Sequence, residues 1–379
     1  MRLGIVCYPT FGGSGVLATE LGKALADEGH QVHFITYQQP VRLNVFNANI
    51  FYHEVRVPTY PLFDYPPYEV ALASTMVDVI MNHDLDLLHV HYAIPHASAA
   101  YMAKQIVKQK TGRDVPVITT LHGTDITLVG RDKTYEPVVT FSINESDAIT
   151  AVSDNLRDET YRSFAIHKDI QVIYNFVDVH RFDKKPIDAF RKVIAPAGEK
   201  ILIHASNFRK VKRVDDVIKI FAAVRSEMPA KLLMVGDGPE RPAIEELARN
   251  LHVEEDVRFL GKQEQMEDIL AVSDVFILPS EYESFGLAAL EAMAARAVVI
   301  STNAGGLSEI NIQNKTGFMA DIGDVQSMSN FTINLLKDDA RLTEMKEAAY
   351  EQACRFDISK IIPVYEKLYS QYCRRIPCK

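Results

Sequence analysis

The chain has 379 residues, of which 47% are hydrophobic and 24% charged, a composition that is ordinary for a soluble globular protein. Its length exceeds what one ordinary core fills, so we expect two domains. A net charge of −9 and a pI near 5.8 argue against a broad basic surface for nucleic acid or anionic lipid, although a local basic pocket for a small anion is still allowed.

In the first half of the chain, apolar runs of strand length alternate with amphipathic stretches of helix length. The first run, RLGIVCY, leads through a Gly-rich turn into GVLATELGKALADEG, whose apolar residues recur every three or four positions up to Gly29. Five more runs of strand length follow: QVHFITY, DLLHVH, VPVITTLH, DAITAVS and IQVIYN. Strands that alternate with helices predict a parallel sheet covered on both faces.

The same alternation begins again after the polar stretch DKKPIDAFRKVIAPAGEK. The later strand-like runs are ILIHAS, AKLLMVG, VRFLG, DVFILP and AVVIST, and helix-like segments such as RVDDVIKIFAAVRSE lie between them. We therefore predict an α/β fold of two Rossmann-like, doubly wound domains, residues 1–170 and 171–356, with the boundary between about 165 and 200. The final stretch, ISKIIPVYEKLYSQYCRR, predicts an amphipathic helix despite Pro363, and we expect residues 357–379 to pack back on the first domain.

The cysteines and the hydropathy pattern indicate in which cellular compartment the protein is expected. Cys7, Cys354, Cys373 and Cys378 form no CxxC pair and no metal-type cluster, so no disulfide framework is expected. Neither a signal-length apolar stretch at the start nor an 18-residue apolar run elsewhere is present. We expect a cytoplasmic protein with no integral membrane segment and no nucleic-acid partner, and homo-oligomerisation stays open.

The first motif is PTFGGSGVLATELG, at the junction of the first strand and the first helix. Its closely spaced glycines let the backbone approach a ligand, and amides at a helix N-terminus suit phosphate. No Gly-Lys-Ser/Thr follows, GxGxxG is out of register, and no acidic residue ends the second strand, so a dinucleotide site is disfavoured. The alternative is a plain tight turn with an N-cap at Ser14.

Histidines cluster in two further stretches, HVHYAIPHA and TLHGTDITLVG. A lone histidine is usually structural, but His122 stands at the carboxyl end of a strand, before a sharp turn, which favours a polar contact with a ligand. Zinc is a possible alternative for so many histidines. However, His89 and His91 alternate along a strand, and neither cysteine nor HExxH accompanies them, so no metal is expected.

The second domain carries a basic stretch and two Gly-rich turns at strand ends. SNFRKVKRVDDV places Arg209, Lys210, Lys212 and Arg213 at a helix start, where the helix dipole repels cations, so a bound diphosphate is a better explanation than a solvated basic face. The turns are VGDGPE and NAGGLSEI, and the glycines of the first, at 236 and 238, permit unusual backbone angles.

Two carboxylates bracket the stretch ESFGLAALE. If the helix begins near Gly286, Glu283 lies in the loop before it and Glu291 lies on its second turn. The alternative is an acidic residue that the helix dipole favours, plus one solvent-facing glutamate.

Taken in order, these motifs resemble family four glycosyltransferases of the GT-B fold, over nearly the whole chain. The resemblance implies two Rossmann-like domains facing a central cleft that holds a nucleotide diphosphate sugar. By this resemblance, Glu291 binds the ribose hydroxyls and Glu283 contacts hydroxyls of the transferred sugar. The amides around Phe285, Gly286 and Leu287 face the phosphate, as the helix dipole favours.

The same resemblance makes Lys212 the pyrophosphate lysine. Asn207 stands where the family frequently has an arginine, so Arg209 is expected to replace that charge. A second departure, AARAV in place of the family's Cys-Gly-x-Pro, lies past the site and is expected to change packing only. Retaining transfer is implied, with Lys212, Arg209 and the amides stabilising the leaving diphosphate, a phosphate oxygen taking the acceptor's proton, and no metal or other cofactor.

In the first domain, the resemblance implies that Gly13 and Ser14 line the reaction centre and that His122 approaches the sugar's 6-hydroxyl. Four stretches, CYPTFGGSGVLATELGKALA, HVHYAIPHA, LHGTDITLVG and SNFRKVKRVDDV, closely resemble the members that transfer N-acetylglucosamine from UDP-GlcNAc to L-malate in bacillithiol biosynthesis. Such a dianionic acceptor needs a cationic or N–H-rich pocket. Candidates for it are Ser14, Arg42, Tyr92 and Thr124.

Three alternatives stay open. A lipid-linked or polysaccharide acceptor would keep the fold, but YPLFDYPPYEVALAS is aromatic and hardly basic, which favours a soluble acceptor. The others are a UDP-GlcNAc epimerase and a binding protein without transfer activity.

Overall fold

The structure is a computed structural model that describes residues 1–10, 12–43, 46–57, 65, 67–127, 129–130, 132–185 and 187–373. The chain divides into two compact units, one formed by Met1–Asn175 with Ile358–Lys379 and the other by Phe176–Asp357. Each unit contains its own parallel sheet. In the described part of the chain, no helix has the length and apolar character needed to cross a bilayer.

In its described residues, the first unit forms a seven-stranded sheet: β1 (Arg2–Val6), β2 (Gln31–Thr36), β3 (Ile50–Glu54), β4 (Leu87–His91), β5 (Val117–Leu121), β6 (Ala148–Ala151) and β7 (Ile170–Val172). Its helices are α1 (Gly13–Asp27), α2 (Tyr68–His83), α3 (Ser98–Thr111), α4 (Thr124–Thr127), α5 (Glu136–Glu145), α6 (Asp154–Ser163) and the C-terminal helix (Ile358–Tyr372). The strand order is β3-β2-β1-β4-β5-β6-β7, with all neighbours parallel. The order reverses between β1 and β4, as expected of a doubly wound sheet.

Central strands of the first unit carry buried polar residues whose side chains form hydrogen bonds with other buried side chains. His89 on β4 bonds through Nε2 to the Thr120 hydroxyl at 2.7 Å and through Nδ1 to the Tyr369 hydroxyl of the C-terminal helix at 2.8 Å. Thr120 in turn contacts Thr150 Oγ1 at 2.6 Å. Because a central parallel strand is covered on both faces, such groups need partners inside the protein. His89 is therefore a core residue that joins the C-terminal helix to the sheet.

The described part of the second unit forms a six-stranded sheet: β8 (Lys200–Ala205), β9 (Ala230–Val235), β10 (Val257–Gly261), β11 (Val275–Leu278), β12 (Val298–Thr302) and β13 (Gly317–Ala320). Its helices are α7 (Val179–Phe182), α8 (Asp188–Ile194), α9 (Val214–Glu227), α10 (Arg241–Asn250), α11 (Met266–Ala271), α12 (Leu287–Ala294), α13 (Leu307–Ile310), α14 (Val325–Leu336) and α15 (Asp339–Ala353). The order is β10-β9-β8-β11-β12-β13, all parallel, and it reverses between β8 and β11.

Asp274, just before β11, is a buried charge that connects three elements of the second unit. The residue is 5% exposed, and its carboxylate accepts from the Ile201 amide at 2.9 Å, Arg191 at 3.1 Å and Lys346 at 2.7 Å. Asp274→Ala leaves those donors without their acceptor, so we expect a loss of about 3 kcal/mol in the free energy of unfolding, measured in urea. Asp339→Ala, which removes an exposed ion-pair partner, serves as the control and should cost under about 1 kcal/mol. Equal losses in the two variants would contradict this role for Asp274.

Candidate active site

In both units the predicted site residues lie at the carboxyl ends of parallel strands. Ligands of doubly wound sheets bind there, where the strand order reverses. In the first unit Gly13 and Ser14 open α1, which follows the loop after β1, and Tyr92 follows β4. Arg42 follows β2, and His122 and Thr124 follow β5. In the second unit the loops after β8 and β11 carry Asn207, Arg209, Lys212, Glu283, Phe285 and Gly286, and α12 carries Leu287 and Glu291.

An ion pair joins the two loops at the reversal point of the second sheet. Lys212 Nζ lies 2.5 Å from Glu283 Oε1, and the Ser280 hydroxyl donates to the same oxygen at 2.8 Å. The Lys212 and Glu283 side chains are only 20% and 14% exposed. The Glu281 amide donates to the carbonyl of Val211 at 2.8 Å, which fixes the loops against each other. Lys212 is thus held at the point where the strand order reverses, and the Glu283 carboxylate balances its charge.

His204, at the end of β8, lies close to this ion pair and was not singled out from the sequence. Its Nδ1 donates to the carbonyl of Ile277 at 2.8 Å, and its Nε2 lies 2.7 Å from the Ser206 hydroxyl. Burial, reinforced by the charge of Lys212, lowers the pKa of His204 to about 4, although Glu283 acts in the opposite sense. The ring is therefore neutral at pH 7. The one signal in the sequence was a histidine inside the apolar run ILIHAS.

The basic stretch differs from its prediction in one respect. Its cations precede the helix rather than opening it, because the turn Lys210–Lys212 and the cap residue Arg213 come before α9. The first turn of α9 instead carries Asp215 and Asp216, which the positive end of the helix dipole favours.

Two of the four cations are already neutralised. Arg213 bonds to Asp216 at 2.6 Å and to Glu281 at 3.2 Å, and Lys212 is paired as described above. Arg209 and Lys210 are exposed, and neither forms an ion pair with any residue that the structure describes. These two side chains are the ones available to an incoming anion without breaking a contact.

The cap residue of α12 is Gly286, which has no side chain with which to cap the first amides of the helix. Gly286 adopts φ 92°, and a Cβ atom there would stand 2.5 Å from Leu307 Cδ2, so other residues are strained at this position. Phe285 is 1% exposed and can offer a ligand only its backbone. Glu291 is half-buried on the second turn of the same helix, beyond Leu287. A glycine-capped helix N-terminus of this kind favours an anion.

The GDGPE glycines have a packing role. Gly236 has φ 115°, and a Cβ atom on it would lie 1.8 Å from the carbonyl oxygen of Ser206. A Cβ atom on Gly238 would lie 2.5 Å from the carbonyl oxygen of Phe208. The glycines therefore allow the turn after β9 to pack on the loop after β8, where Asn207 is exposed.

In the first unit, Ser14 and Tyr92 are in contact at the point where the strand order reverses, between β1 and β4. The Ser14 hydroxyl lies 2.6 Å from the Tyr92 hydroxyl. The alternative of an N-cap at Ser14 is wrong: α1 begins at Gly13, its cap residue is Gly12, and no side chain caps it. Gly12 and Gly13 are exposed, so the first turn of α1 begins at the surface of the unit.

His122 and Asp125 join the loops that follow β4 and β5. His91 Nδ1 lies 2.8 Å from His122 Nε2, and the Asp125 carboxylate accepts from the amides of Gly123 and Ala93, each at 3.0 Å. Burial lowers the pKa of His122 to about 3 and raises that of Asp125 to about 6. His122 is thus a neutral group at the site edge, and Asp125 fixes the surrounding backbone, a role not foreseen from the sequence.

The positions of Arg42 and Thr124 neither support nor exclude a role in acceptor binding. Arg42 lies on the loop after β2 with φ 67°, and Thr124 is exposed at the start of α4. Their part in acceptor binding stays a prediction.

Comparison with known proteins identifies the family. The family model "Glycosyltransferase Family 4" matches residues 11–181, and "Glycosyl transferases group 1" matches residues 187–352. The N-acetyl-alpha-D-glucosaminyl L-malate synthase of Bacillus anthracis is 48% identical over 379 residues, which cover 99% of this chain and 98% of that protein. The chain belongs to glycosyltransferase family 4.

Solved structures share the fold of this glycosyltransferase. Anabaena HepE, crystallised with UDP and glucose, superposes with a TM-score of 0.83 at 20% identity, covering 98% of this chain and 100% of that one. Sucrose-phosphate synthase from Thermosynechococcus elongatus gives a TM-score of 0.80 at 21% identity and covers 98% of both chains. The prediction of GT-B architecture, with two doubly wound parallel sheets, is confirmed.

The buried histidines of this glycosyltransferase predict acid sensitivity. Burial is the first cause of a lowered pKa in each of six: His33, His89, His91, His96, His122 and His204. Unfolded histidine titrates near pH 6.5, so below that pH the unfolded chain binds protons that the folded chain does not. The free energy of unfolding should then fall by roughly 1 kcal/mol per histidine for each pH unit, over a window from about 6.5 down to 4.

The raised pKa of Asp125, about 6, acts in the opposite sense and offsets at most one histidine. Urea unfolding at pH 7.5 and pH 5.5 measures the effect. An unchanged or higher midpoint at pH 5.5 would contradict it.

Proposed function

We propose that this glycosyltransferase moves N-acetylglucosamine from UDP-GlcNAc to the hydroxyl of L-malate with retention of configuration, the first step of bacillithiol biosynthesis. The observation that carries the proposal is the 48% identity, over essentially the full length of both chains, to the Bacillus anthracis protein named N-acetyl-alpha-D-glucosaminyl L-malate synthase. The geometric support is the ion pair between Lys212 and Glu283, at the point where the strand order of the second sheet reverses. Lys212 would bind the diphosphate of the donor there.

The second unit would hold the donor by its diphosphate. An incoming diphosphate competes with Glu283 for Lys212 Nζ, and exposed Arg209 adds a second cation, as expected if it replaces the charge missing at Asn207. Amides at the glycine-capped start of α12 would bind the same anion, and Glu291 on that helix would bind the ribose hydroxyls. Each well-placed donor of this type stabilises developing charge by on the order of 3 kcal/mol.

The first unit would hold the acceptor. L-malate carries two carboxylates and one hydroxyl, so its site needs an anion-binding element and a hydrogen-bonding partner. The uncapped start of α1, at Gly12 and Gly13, offers amides to a carboxylate. The hydroxyl pair of Ser14 and Tyr92 offers the polar contact, and Thr124 and Arg42 complete the proposed set.

In the proposed reaction, the malate hydroxyl attacks the anomeric carbon from the face that the diphosphate leaves. The bond from that carbon to the phosphate oxygen breaks, a bond to the malate oxygen forms, and the hydroxyl proton passes to the leaving diphosphate. Lys212 and Arg209 balance the growing negative charge, so no metal is required. Glu283 and Glu291 bind the donor rather than forming the paired carboxylates of a hydrolase, and neutral His122 contacts the sugar's 6-hydroxyl.

The test is UDP release from UDP-GlcNAc in the presence of L-malate or succinate, with the product identified by mass spectrometry. Succinate keeps both carboxylates but lacks the hydroxyl, so release that requires malate, together with a GlcNAc-malate product, supports the proposal. A metal chelator should leave that rate unchanged. UDP-ManNAc formation would indicate an epimerase, and turnover only with a lipid or polysaccharide would indicate another acceptor.

The proposal includes a cytoplasmic location, since both proposed substrates are small and charged. Homo-oligomerisation stays a prediction, for which the solution mass of the purified chain is the measurement.

A further inference from the structure

Three histidines of the first unit meet away from the candidate active site. His33 lies on β2, His53 on the neighbouring edge strand β3, and His83 at the end of α2. One nitrogen of each ring lies within 4.8 Å of those of the other two. His33 Nδ1 and His53 Nε2 are 2.9 Å apart. No residue of this cluster belongs to the proposed donor or acceptor sites.

The most buried ring of the cluster has an unsatisfied nitrogen. His33 is 2% exposed, and its Nε2 has no hydrogen-bond partner among the residues that the structure describes. Buried polar atoms are nearly always paired, so one in a cluster of good ligands points to a group that the protein binds. His53 and His83 are half-buried, which lets water reach the cluster and complete a coordination shell.

Burial and one engaged arginine set the electrostatics around the cluster. Burial first, and then the neighbouring rings and Arg2, lower the pKa of His33 to about 3, and burial followed by His83 lowers that of His53 to about 4. The nearest fixed cation, Arg2, is engaged: it donates to the carbonyl of His83 and to Asp84, each at 3.2 Å.

We propose that His33, His53 and His83 bind a divalent late first-row transition metal, with Zn²⁺ the best match, and that water completes a tetrahedral site. Imidazole nitrogens are preferred ligands of such metals, at about 2.0–2.1 Å. A tetrahedral set at that distance has its nitrogens about 3.3 Å apart, so the His33–His53 pair at 2.9 Å would open slightly. The wider separations, which reach at most 4.8 Å, would shorten by roughly 1.5 Å or less. The metal would tie the edge strand β3 to β2 and α2, and so stabilise the open side of the sheet.

The alternative is an aromatic cluster without a metal, because His33 also stacks on Phe51 with ring centroids 4.6 Å apart. The two possibilities differ in their response to a cation. A metal site gains stability from added Zn²⁺ by mass action, whereas a stacked cluster does not.

The experiment uses the full chain, stripped with a chelator and dialysed, and titrates it with Co²⁺ and with Zn²⁺. We expect one equivalent of Co²⁺ to give the visible d–d bands of a tetrahedral nitrogen site, and Zn²⁺ to displace it and raise Tm by several degrees. His53→Gln and His83→Gln should each weaken Co²⁺ binding by roughly 100-fold or more, since each removes a direct ligand.

His167→Gln, which removes an exposed histidine of the same unit, is the matched control and should bind Co²⁺ like the parent chain. Because His53 and His83 are half-buried, their variants should fold, and UDP release in all three variants should match the parent. Absence of the Co²⁺ bands, no rise in Tm with Zn²⁺, or equal binding by His53→Gln and the control would each overturn the proposal.

Discussion

Lys212→Ala is expected to lower kcat for transfer by roughly 10²- to 10³-fold, which is the usual cost of removing one preorganised charge-stabilising donor. The side chain is largely buried, and its Nζ lies 2.5 Å from Glu283, so the protein holds this cation in one place. Fixed charge of this kind stabilises a leaving diphosphate without reorganisation in the transition state. The measurement is malate-dependent UDP release at saturating substrates.

Lys210→Ala is the matched control for that variant. Lys210 belongs to the same turn and has the same charge, but it is exposed and has no ion-pair partner in the described chain. Because its charge is not held in one place, its loss should lower the rate far less than Lys212→Ala does, and circular dichroism should show both variants folded. If Lys212→Ala kept more than about a tenth of the parent rate, the assignment of Lys212 as the diphosphate cation would be wrong.

Glu283→Gln should separate nucleotide binding from transfer. The carboxylate now competes with any phosphate for Lys212, so replacing it with a neutral amide of similar shape should tighten UDP binding. The same change weakens the contact to the transferred sugar, so we expect kcat to fall by about 10²-fold. Calorimetry with UDP and the transfer assay measure the two effects independently.

Glu281→Gln is the control for this split. Glu281 lies two residues away, is exposed, and pairs with Arg213 at 3.2 Å rather than with Lys212. It should leave both UDP affinity and transfer nearly unchanged. Weaker UDP binding by Glu283→Gln, or full transfer activity, would show that the carboxylate has a different role.

The sequence predicted the central strands well because they are buried on both faces and read as continuous apolar runs. It did not predict the edge strands β3 and β13. Residues Ile50–Glu54 are mostly half-buried, and β13 begins with a glycine, so neither has the continuous apolar run of an interior strand. Missing β3 had a consequence, because His53 could not then be placed beside His33.

The candidate site could be located from the sequence, since motifs that follow parallel strands must gather at one edge of a sheet. Its internal pairings could not. Lys212 and Glu283 are 71 residues apart, and Arg213 is neutralised by Asp216 and Glu281, which depends on loop geometry rather than on spacing. For the same reason the sequence showed the four cations as one basic patch, whereas Arg209 and Lys210 have no carboxylate partner among the residues that the structure describes.

A crystal structure of the chain with bound UDP tests the central claim most directly. The diphosphate should lie within hydrogen-bonding distance of Lys212 Nζ and the amides at Gly286 and Leu287, with Arg209 turned toward it and the ribose hydroxyls on Glu291. Nucleotide density elsewhere, with Lys212 still paired to Glu283, would contradict the account.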